Sequence, residues 1–177
     1  MINARQWLVL AASLAALVAC AKTPAPDSTA DRAAIRAASI AWKNAYNAGD
    51  AAAVVALYAE DAVLSAPGER ALRDSSSIGR YFAQKVAEFS AAGLTVADAP
   101  MGDVVTSGDL GFQWETYQVT DKSGGVVDAG KLLTLFGRKN GKWMIIGDTW
   151  NSDSMPGGPA ARATVAVAAA SNSLVRR

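Results

Sequence analysis

A carboxylate placed among bulky apolar residues is the strongest chemical signal in this sequence. Asp148 follows Ile146 and precedes Trp150 near the end of the chain, where an unpaired charge would be costly to bury. Such a group can act as a general base, here with Lys131 or Tyr46 assisting, or it can hold a fold together through an ion pair. Asp148 is the one candidate catalytic residue, and we favour a structural role for it at the polar end of a pocket.

The composition excludes most of the familiar nucleophiles. The 177 residues include no histidine and a single cysteine, so Ser–His–Asp and Cys–His catalysis, His/Cys zinc sites and intrachain disulfides are excluded. The 17 basic and 16 acidic residues leave a formal charge of +1, which gives no reason to expect a nucleic-acid partner. We expect no metal and no cofactor.

The beginning of the chain has the pattern of an export signal. Arg5 precedes an apolar run over residues 7–19, which is too short for a membrane-spanning helix and is typical of a signal peptide. The sequence "LVAC", ending at Cys20, resembles the lipobox of bacterial lipoproteins, in which the cysteine is lipidated and becomes the mature N-terminus. Cleavage after an Ala-x-Ala motif ending at Ala21 is the alternative. The lipobox resemblance implies a lipid anchor on the periplasmic face of the outer membrane.

The whole chain is predicted to hold one domain, preceded by the signal peptide and a tether and followed by a disordered tail. Residues 1–19 form the signal peptide, residues 20–27 the lipidated cysteine and a tether, residues 28–154 the domain, and residues 155–177 an Ala/Gly-rich disordered tail. Apolar residues at helical spacing predict three helices, with caps at Ser28, Asp50 and Asp74. From Leu94 onward the period changes to two, which predicts an antiparallel meander of about four strands and an α+β domain.

The Asn140-Gly141 pair sets the predicted strand register, because this dipeptide favours a two-residue turn. In that register Lys139 pairs with Lys142, Leu133 lies opposite Asp148, and Lys131 lies opposite Trp150. The face predicted to point toward the helices carries Lys131, Leu133, Leu135, Met144, Ile146, Asp148 and Trp150, together with Phe112, Trp114, Thr116 and Gln118 of the preceding strand. The opposite face, with Tyr117, Phe136, Trp143 and Ile145, is predicted to be covered in a homodimer.

The inward face predicts a binding pocket for a small, largely apolar molecule, since a few polar groups converge there in apolar surroundings. The predicted ligand-binding residues are Trp42, Tyr46, Trp114, Lys131, Asp148 and Trp150. Three alternatives remain open. Lys131 and Asp148 could form only a partly buried ion pair, the pocket could be the active site of an enzyme, or the protein could be a dimeric interaction module.

Several separated motifs resemble a known superfamily. "AWKNAYNAGDAAAVVALYAEDAVLSAPGE" is similar to the opening of the SnoaL-like and ketosteroid-isomerase-like domains of the nuclear transport factor 2-like (NTF2-like) superfamily. "SGDLGFQWETYQVTD" and "DAGKLLTLFGRKNGKWMIIGDTWNSD" look most like its subgroup called domain of unknown function 4440. The resemblance covers roughly residues 30–154. It implies a cone-shaped α+β barrel, with N-terminal helices packed on a curved antiparallel sheet that encloses a cavity, often in a dimer.

The resemblance does not carry steroid isomerase activity with it. In ketosteroid isomerases the base is an aspartate directly before a proline, and here Ala66 occupies that position before Pro67. The position of their oxyanion-hole tyrosine holds Trp42, whose indole can donate a hydrogen bond but cannot accept one. Histidine-dependent dehydratase chemistry is excluded by composition. The resemblance therefore implies an isomerase, dehydratase or cyclase only if Asp148 supplies the chemistry.

Overall fold

The computed structural model describes residues 28–97 and 102–154. The predictions for the signal peptide, Cys20, the tether and the 155–177 tail lie outside the described residues. Within these two ranges, three helices and six strands follow one another: α1 (Ser28–Asn47), α2 (Ala51–Val55), β1 (Tyr58–Ser65), α3 (Ser75–Ala92), β2 (Thr95–Val96), β3 (Val104–Ser107), β4 (Leu110–Thr120), β5 (Val126–Lys139) and β6 (Lys142–Ser152).

The helix ends follow local sequence signals. The side chains of Asp50 and Asp74 accept hydrogen bonds from the backbone N–H groups of Ala53 and Ser77, at 2.9 and 2.7 Å, as N-cap residues do. Gly93 ends α3 in the left-handed conformation, with φ of 66°. The predicted caps at Asp50 and Asp74 are confirmed.

The start of α1 differs from the prediction. Ser28, predicted as the cap, is already helical, and Asp31 in the first turn is buried in the fold. There its carboxylate accepts hydrogen bonds from the Arg138 guanidinium (2.5 Å) and the Trp143 indole (3.1 Å), and both groups lower the pKa of Asp31. Asp31 therefore ties α1 to the end of the β5–β6 hairpin.

The strands form one curled, mixed sheet in the order β1-β6-β5-β4-β2, and β3 also pairs with β4. The sheet is not purely antiparallel as predicted, because β1 runs parallel to β6. The helices pack against its inner side and leave Ile35, Val54, Leu64, Ile78 and Phe136 fully buried. The predicted cone-shaped α+β architecture is confirmed.

The β5–β6 hairpin begins as predicted and then changes register. Asn140 and Gly141 both have positive φ, 51° and 78°, and Lys139 pairs with Lys142. Phe136 then pairs with Ile145 whereas Leu135 pairs with Gly147, so β6 carries one extra residue, Ile146. Because successive side chains of a strand alternate between its two faces, this β-bulge exchanges the faces of every later residue of β6 relative to β5.

The predicted pairings beyond the bulge are therefore wrong. Asp148 lies opposite Thr134 instead of Leu133, and Trp150 lies opposite Leu132 instead of Lys131. The inner face consists of Leu132, Thr134, Phe136, Trp143, Ile145, Asp148 and Trp150, with Gln113, Glu115 and Tyr117 of β4. The prediction for this face is correct only for Asp148 and Trp150. The outer face carries Phe112, Trp114, Lys131, Leu133 and Leu135 instead.

Candidate functional site

A cavity of about 460 Å³ lies between the helices and the inner face of the sheet. Its helical wall is aromatic, since α1 and α3 place aromatic residues at helical spacing on the side that faces the sheet. The Trp42 and Tyr46 rings stack with centroids 4.8 Å apart, and Phe89 meets Tyr46 edge-on at 5.0 Å. The aromatic residues that line the cavity are Trp42, Tyr46, Tyr81, Phe82, Phe89, Tyr117, Phe136 and Trp150.

The sheet contributes the remaining apolar surface and the deepest polar group. Leu132, Phe136 and Ile145 line the cavity beside Asp148 and Trp150. The bulge at Ile146 allows this combination, because Ile145 and Asp148 would lie on opposite faces of a regular strand.

Asp148 ends a chain of hydrogen bonds. The Tyr58 hydroxyl donates to Oδ2 of Asp148 at 2.6 Å, and Oγ1 of Thr134 donates to Oδ1 at 3.2 Å. The Trp42 indole N–H in turn donates to the Tyr58 oxygen at 3.2 Å. Trp42 and Tyr58 are therefore fixed in orientation by the carboxylate at the polar end of the cavity.

Burial of Asp148 raises its pKa to about 6, although its three hydrogen bonds, from Tyr58, Thr134 and the Thr149 backbone, favour the ionised form. Burial also raises the pKa of Tyr58, and the negative charge of Asp148 raises it further. Tyr58 consequently keeps its proton at neutral pH and remains the donor, while most Asp148 carboxyl groups are ionised.

A second polar group lies on β4. The fully buried Gln113 accepts a hydrogen bond from Ser39 at 2.7 Å and donates one to Glu115 at 2.9 Å. Burial raises the pKa of Glu115, the positive charges of Arg36 and Lys43 lower it, and Asp148 raises it. Glu115 thus interacts with both positive and negative charges, whereas the hydrogen-bond partners of Asp148 are neutral.

A third polar group lies where β4, β5 and β6 end. The Tyr117 hydroxyl donates to Asp128 at 3.0 Å, and Ser152 donates to the other oxygen of Asp128 at 2.5 Å. Both Tyr117 and Asp128 line the cavity. These bonds hold the ends of three strands together beside the cavity.

The structure brings four of the six predicted ligand-binding residues to this cavity: Trp42, Tyr46, Asp148 and Trp150. Lys131 and Trp114 lie elsewhere, because the face of β4 and β5 that was predicted to point toward the helices points outward instead, and the helices cover the face with Phe136 and Trp143. Lys131 forms a salt bridge with Asp153, so the predicted Lys131–Asp148 ion pair is wrong. The side chain of Trp114 is 54% exposed.

Sequence reasoning missed the groups that contact Asp148. Tyr58 lies on β1, outside the hairpin from which the pocket was predicted, and the predicted register places Thr134 on the face opposite to Asp148. Polar Gln113 and Glu115 flank Trp114 in the sequence, but the prediction turned their face of β4 away from the helices. Ala66 occupies the position of the ketosteroid isomerase base and is buried. Trp42 donates a hydrogen bond to the Tyr58 oxygen.

The described residues contain neither a cluster suited to a metal ion nor a helix suited to crossing a membrane. No group of three or more Asp, Glu or Cys side chains within these residues is arranged to hold a metal ion. None of the helices in the described ranges combines the length and the apolar character needed to cross a membrane.

Comparison with solved structures finds the same fold in bacterial proteins. A ketosteroid isomerase-like protein from Erwinia carotovora atroseptica is 29% identical, with a TM-score of 0.58 over 71% of this chain and 98% of the other. An NTF2-like protein from Novosphingobium aromaticivorans is 23% identical, with a TM-score of 0.63 over 88% and 94%. A proposed dehydratase of the NTF2-like family from Streptomyces avermitilis is 16% identical, with a TM-score of 0.60 over 72% and 99%.

Comparison with protein families gives the same result, whereas a search of curated proteins finds no match. The SnoaL-like domain family matches residues 40–145, which span α1 to β6 and include the aromatic wall of the cavity. Together with the fold, this match identifies the chain as a member of the SnoaL-like domain family in the NTF2-like superfamily.

Proposed function

We propose that this protein is a lipid-anchored protein of the bacterial cell envelope whose cavity binds a small, largely apolar molecule without converting it. The observation that carries the proposal is the aromatic wall around a cavity of about 460 Å³ with few polar groups, which is the usual character of a small-molecule site. The two positions at which ketosteroid isomerases hold their base and tyrosine are Ala66 and Trp42, which supports binding over turnover.

Envelope anchoring rests on the lipobox-like sequence that ends at Cys20. A lipidated cysteine with several acyl chains would anchor the protein stably, at about 0.8 kcal/mol for each buried methylene. Expression in a bacterium with detergent-phase partition tests it. Wild type should enter the detergent phase and Cys20→Ser should not, and equal partition of both would contradict lipidation.

Ligand binding can be tested by filling the cavity from one strand position. Leu132 lines the cavity, and its neighbour Leu133 lies on the opposite face of β5. We expect a screen of small aromatic compounds to give ligands that raise the unfolding free energy by about 2.7 kcal/mol at 100 times Kd. Leu132→Trp should abolish this stabilisation, whereas the matched control Leu133→Trp should retain it. A screen without any hit on the wild type, or equal stabilisation of both variants, would contradict the proposal.

An isomerase, dehydratase or cyclase is the second candidate function. The observation in its favour is the Asp148 carboxylate, which faces the cavity with its pKa raised to about 6, a suitable value for a general base near neutral pH. Tyr46 could supply only a hydrogen bond, because burial raises its pKa to about 12. Turnover of a cavity ligand by the wild type, lost in a folded Asp148→Asn variant, would favour the enzyme.

We also propose that the protein forms a homodimer through the outer face of the sheet. Trp114, Leu135 and Phe112 are 54%, 43% and 40% exposed there, and such clusters of large apolar side chains typically mark an interaction surface. This face replaces the one predicted from the sequence, whose residues Phe136, Trp143 and Ile145 are buried. A two-fold dimer uses the same patch on both subunits, so one exposed face is sufficient.

A further inference from the structure

We propose that the cavity selects a cationic ligand, an amine carried on an aromatic or other apolar body, whose charge pairs with the Asp148 carboxylate. The inference rests on the proposed function, because it names the class of molecule that the cavity binds. It goes beyond that proposal by assigning the ligand's charge and the residue that recognises it.

The first observation is that no cation of the described residues pairs with Asp148. Among the described residues, Lys and Arg form salt bridges with Asp31, Asp61, Glu88, Asp109 and Asp153, and none forms one with Asp148. All three groups that hydrogen-bond to Asp148 are neutral. A buried carboxylate ordinarily pairs with a cation or takes up a proton.

The second observation is the set of titratable groups around Asp148. Tyr58 from β1, Tyr81 from α3 and Glu115 from β4 all interact with its charge, and none of them is a cation. The cavity also contains Lys43 from α1, whose charge acts on Glu115, and Lys85 from α3, which pairs with Glu88. The positive charges that line the cavity are thus associated with other carboxylates.

The third observation is that the cavity that contains the carboxylate is lined by clustered aromatic rings. The Tyr58 and Phe82 centroids are 5.3 Å apart, those of Trp42 and Phe82 6.1 Å, and those of Tyr81 and Trp150 6.4 Å. The face of an aromatic ring attracts a cation and does not attract an anion. An ammonium group would therefore gain from the rings and from Asp148 at once, whereas a ligand carboxylate would be repelled by Asp148.

The carboxylate also retains capacity for a ligand donor. An ionised carboxylate offers about four lone-pair sites, and the bonds from Tyr58, Thr134 and the Thr149 backbone use three of them. An ammonium group would supply the donor for the remaining site and a positive charge that none of the described residues supplies to Asp148.

Three probes that share a phenyl ring and a short chain test the inference: phenylbutylamine, phenylbutanol and phenylbutyrate. Binding to the wild-type protein would be measured by titration calorimetry at pH 7.5 and pH 5. At pH 7.5 we expect the amine to bind at least about tenfold more tightly than the alcohol, as a charge-assisted hydrogen bond would provide, and the carboxylate to bind most weakly. At pH 5 most Asp148 carboxyl groups are protonated, so the preference for the amine should fall about tenfold.

Two folded variants locate the effect. Asp148→Asn keeps the size of the side chain and should bind amine and alcohol equally, whereas Asp109→Asn, at a carboxylate that is 77% exposed, should keep the preference for the amine. Equal binding of amine and alcohol by the wild type, or an amine preference that persists in Asp148→Asn, would overturn the inference and leave the proposed function standing. Absence of binding by all three probes would overturn the inference, and the proposed function would then depend on the separate compound screen.

Discussion

Burial of the Asp148 carboxylate costs the folded protein free energy, because it raises the pKa from the ordinary value of 3.8 to about 6. Between these two pH values the folded protein binds more protons than the unfolded chain, so its stability must fall as the pH rises. Carboxylates whose pKa is lowered, such as Asp31 and Asp74, have the opposite effect: they make the stability rise with pH, and they do so at lower pH. Asp148 thus lowers the stability of the fold at neutral pH, which is typical of a residue kept for function.

We expect Asp148→Asn to remove this pH dependence. Relative to the variant, the wild type should lose on the order of 2 kcal/mol of unfolding free energy between pH 4 and pH 7. Urea denaturation of both proteins at four pH values in this range measures the difference. Asp109→Asn is the control, since the Asp109 side chain is 77% exposed, and its profile should follow that of the wild type. Parallel profiles for wild type and Asp148→Asn would show that Asp148 is not the cause.

At the scale of the elements, the β5–β6 hairpin depends on a short turn with an unusual backbone. Gly141 has φ of 78°, and a Cβ added there would contact nothing within 4 Å. The requirement for glycine is therefore one of backbone conformation alone. Gly79 in α3 also has nothing within 4 Å of an added Cβ, but its φ is ordinary for a helix.

The same substitution at these two glycines should have opposite effects. Gly141→Ala should lower the unfolding free energy by about 1 kcal/mol, because alanine disfavours positive φ. Gly79→Ala should raise it by about 0.5–1 kcal/mol, because alanine is the better helix former. Chemical denaturation of the two variants beside the wild type measures both changes. A stabilising Gly141→Ala would mean that the turn does not have the conformation that sets the register.

The elements also show which parts of the structure could be predicted from the sequence. Helix caps such as Asp74 and the Asn140-Gly141 turn are decided by residues a few positions apart, and they were predicted correctly. The bulge at Ile146 has no such local signal, because it depends on how β6 pairs with both β5 and β1. The prediction also turned the wrong face of β4 and β5 toward the helices, which placed Lys131 and Trp114 inside. Asp148 and Trp150 were nevertheless placed correctly, because the extra residue brings them to the inner face. The aromatic residues of α1 were placed correctly because a helix face does not depend on strand register.

At the scale of the whole molecule, the outer face of the sheet is the surface through which we propose that the protein forms a homodimer. Its exposed apolar residues belong to β4 and β5, which also line the cavity through their inner faces. A dimer formed there would place a second subunit directly behind each cavity, separated from it by one layer of sheet. The proposed ligand site and the proposed dimer interface therefore lie on opposite faces of the same strands.

We expect Trp114→Lys to weaken the homodimer at least about 30-fold, because a central tryptophan at an interface commonly contributes 2 kcal/mol or more. Analytical ultracentrifugation over a range of concentrations gives the dissociation constants. Val126→Lys is the matched control. Val126 is 56% exposed but lies at the start of β5 beside the 121–125 turn, so its replacement should leave the dimer intact. A wild-type protein that sediments as a monomer at high concentration would contradict the proposal.

The bulge at Ile146 divides β6 into one segment that packs in the core and one segment that lines the cavity. The segment before it, with Trp143 and Ile145, is committed to packing against Asp31 of α1 and the buried core. The segment after it presents Asp148 and Trp150 to the cavity. Substitutions at positions 148 and 150 could therefore change the ligand that we propose the cavity binds, while the segment of β6 that packs in the core stays the same.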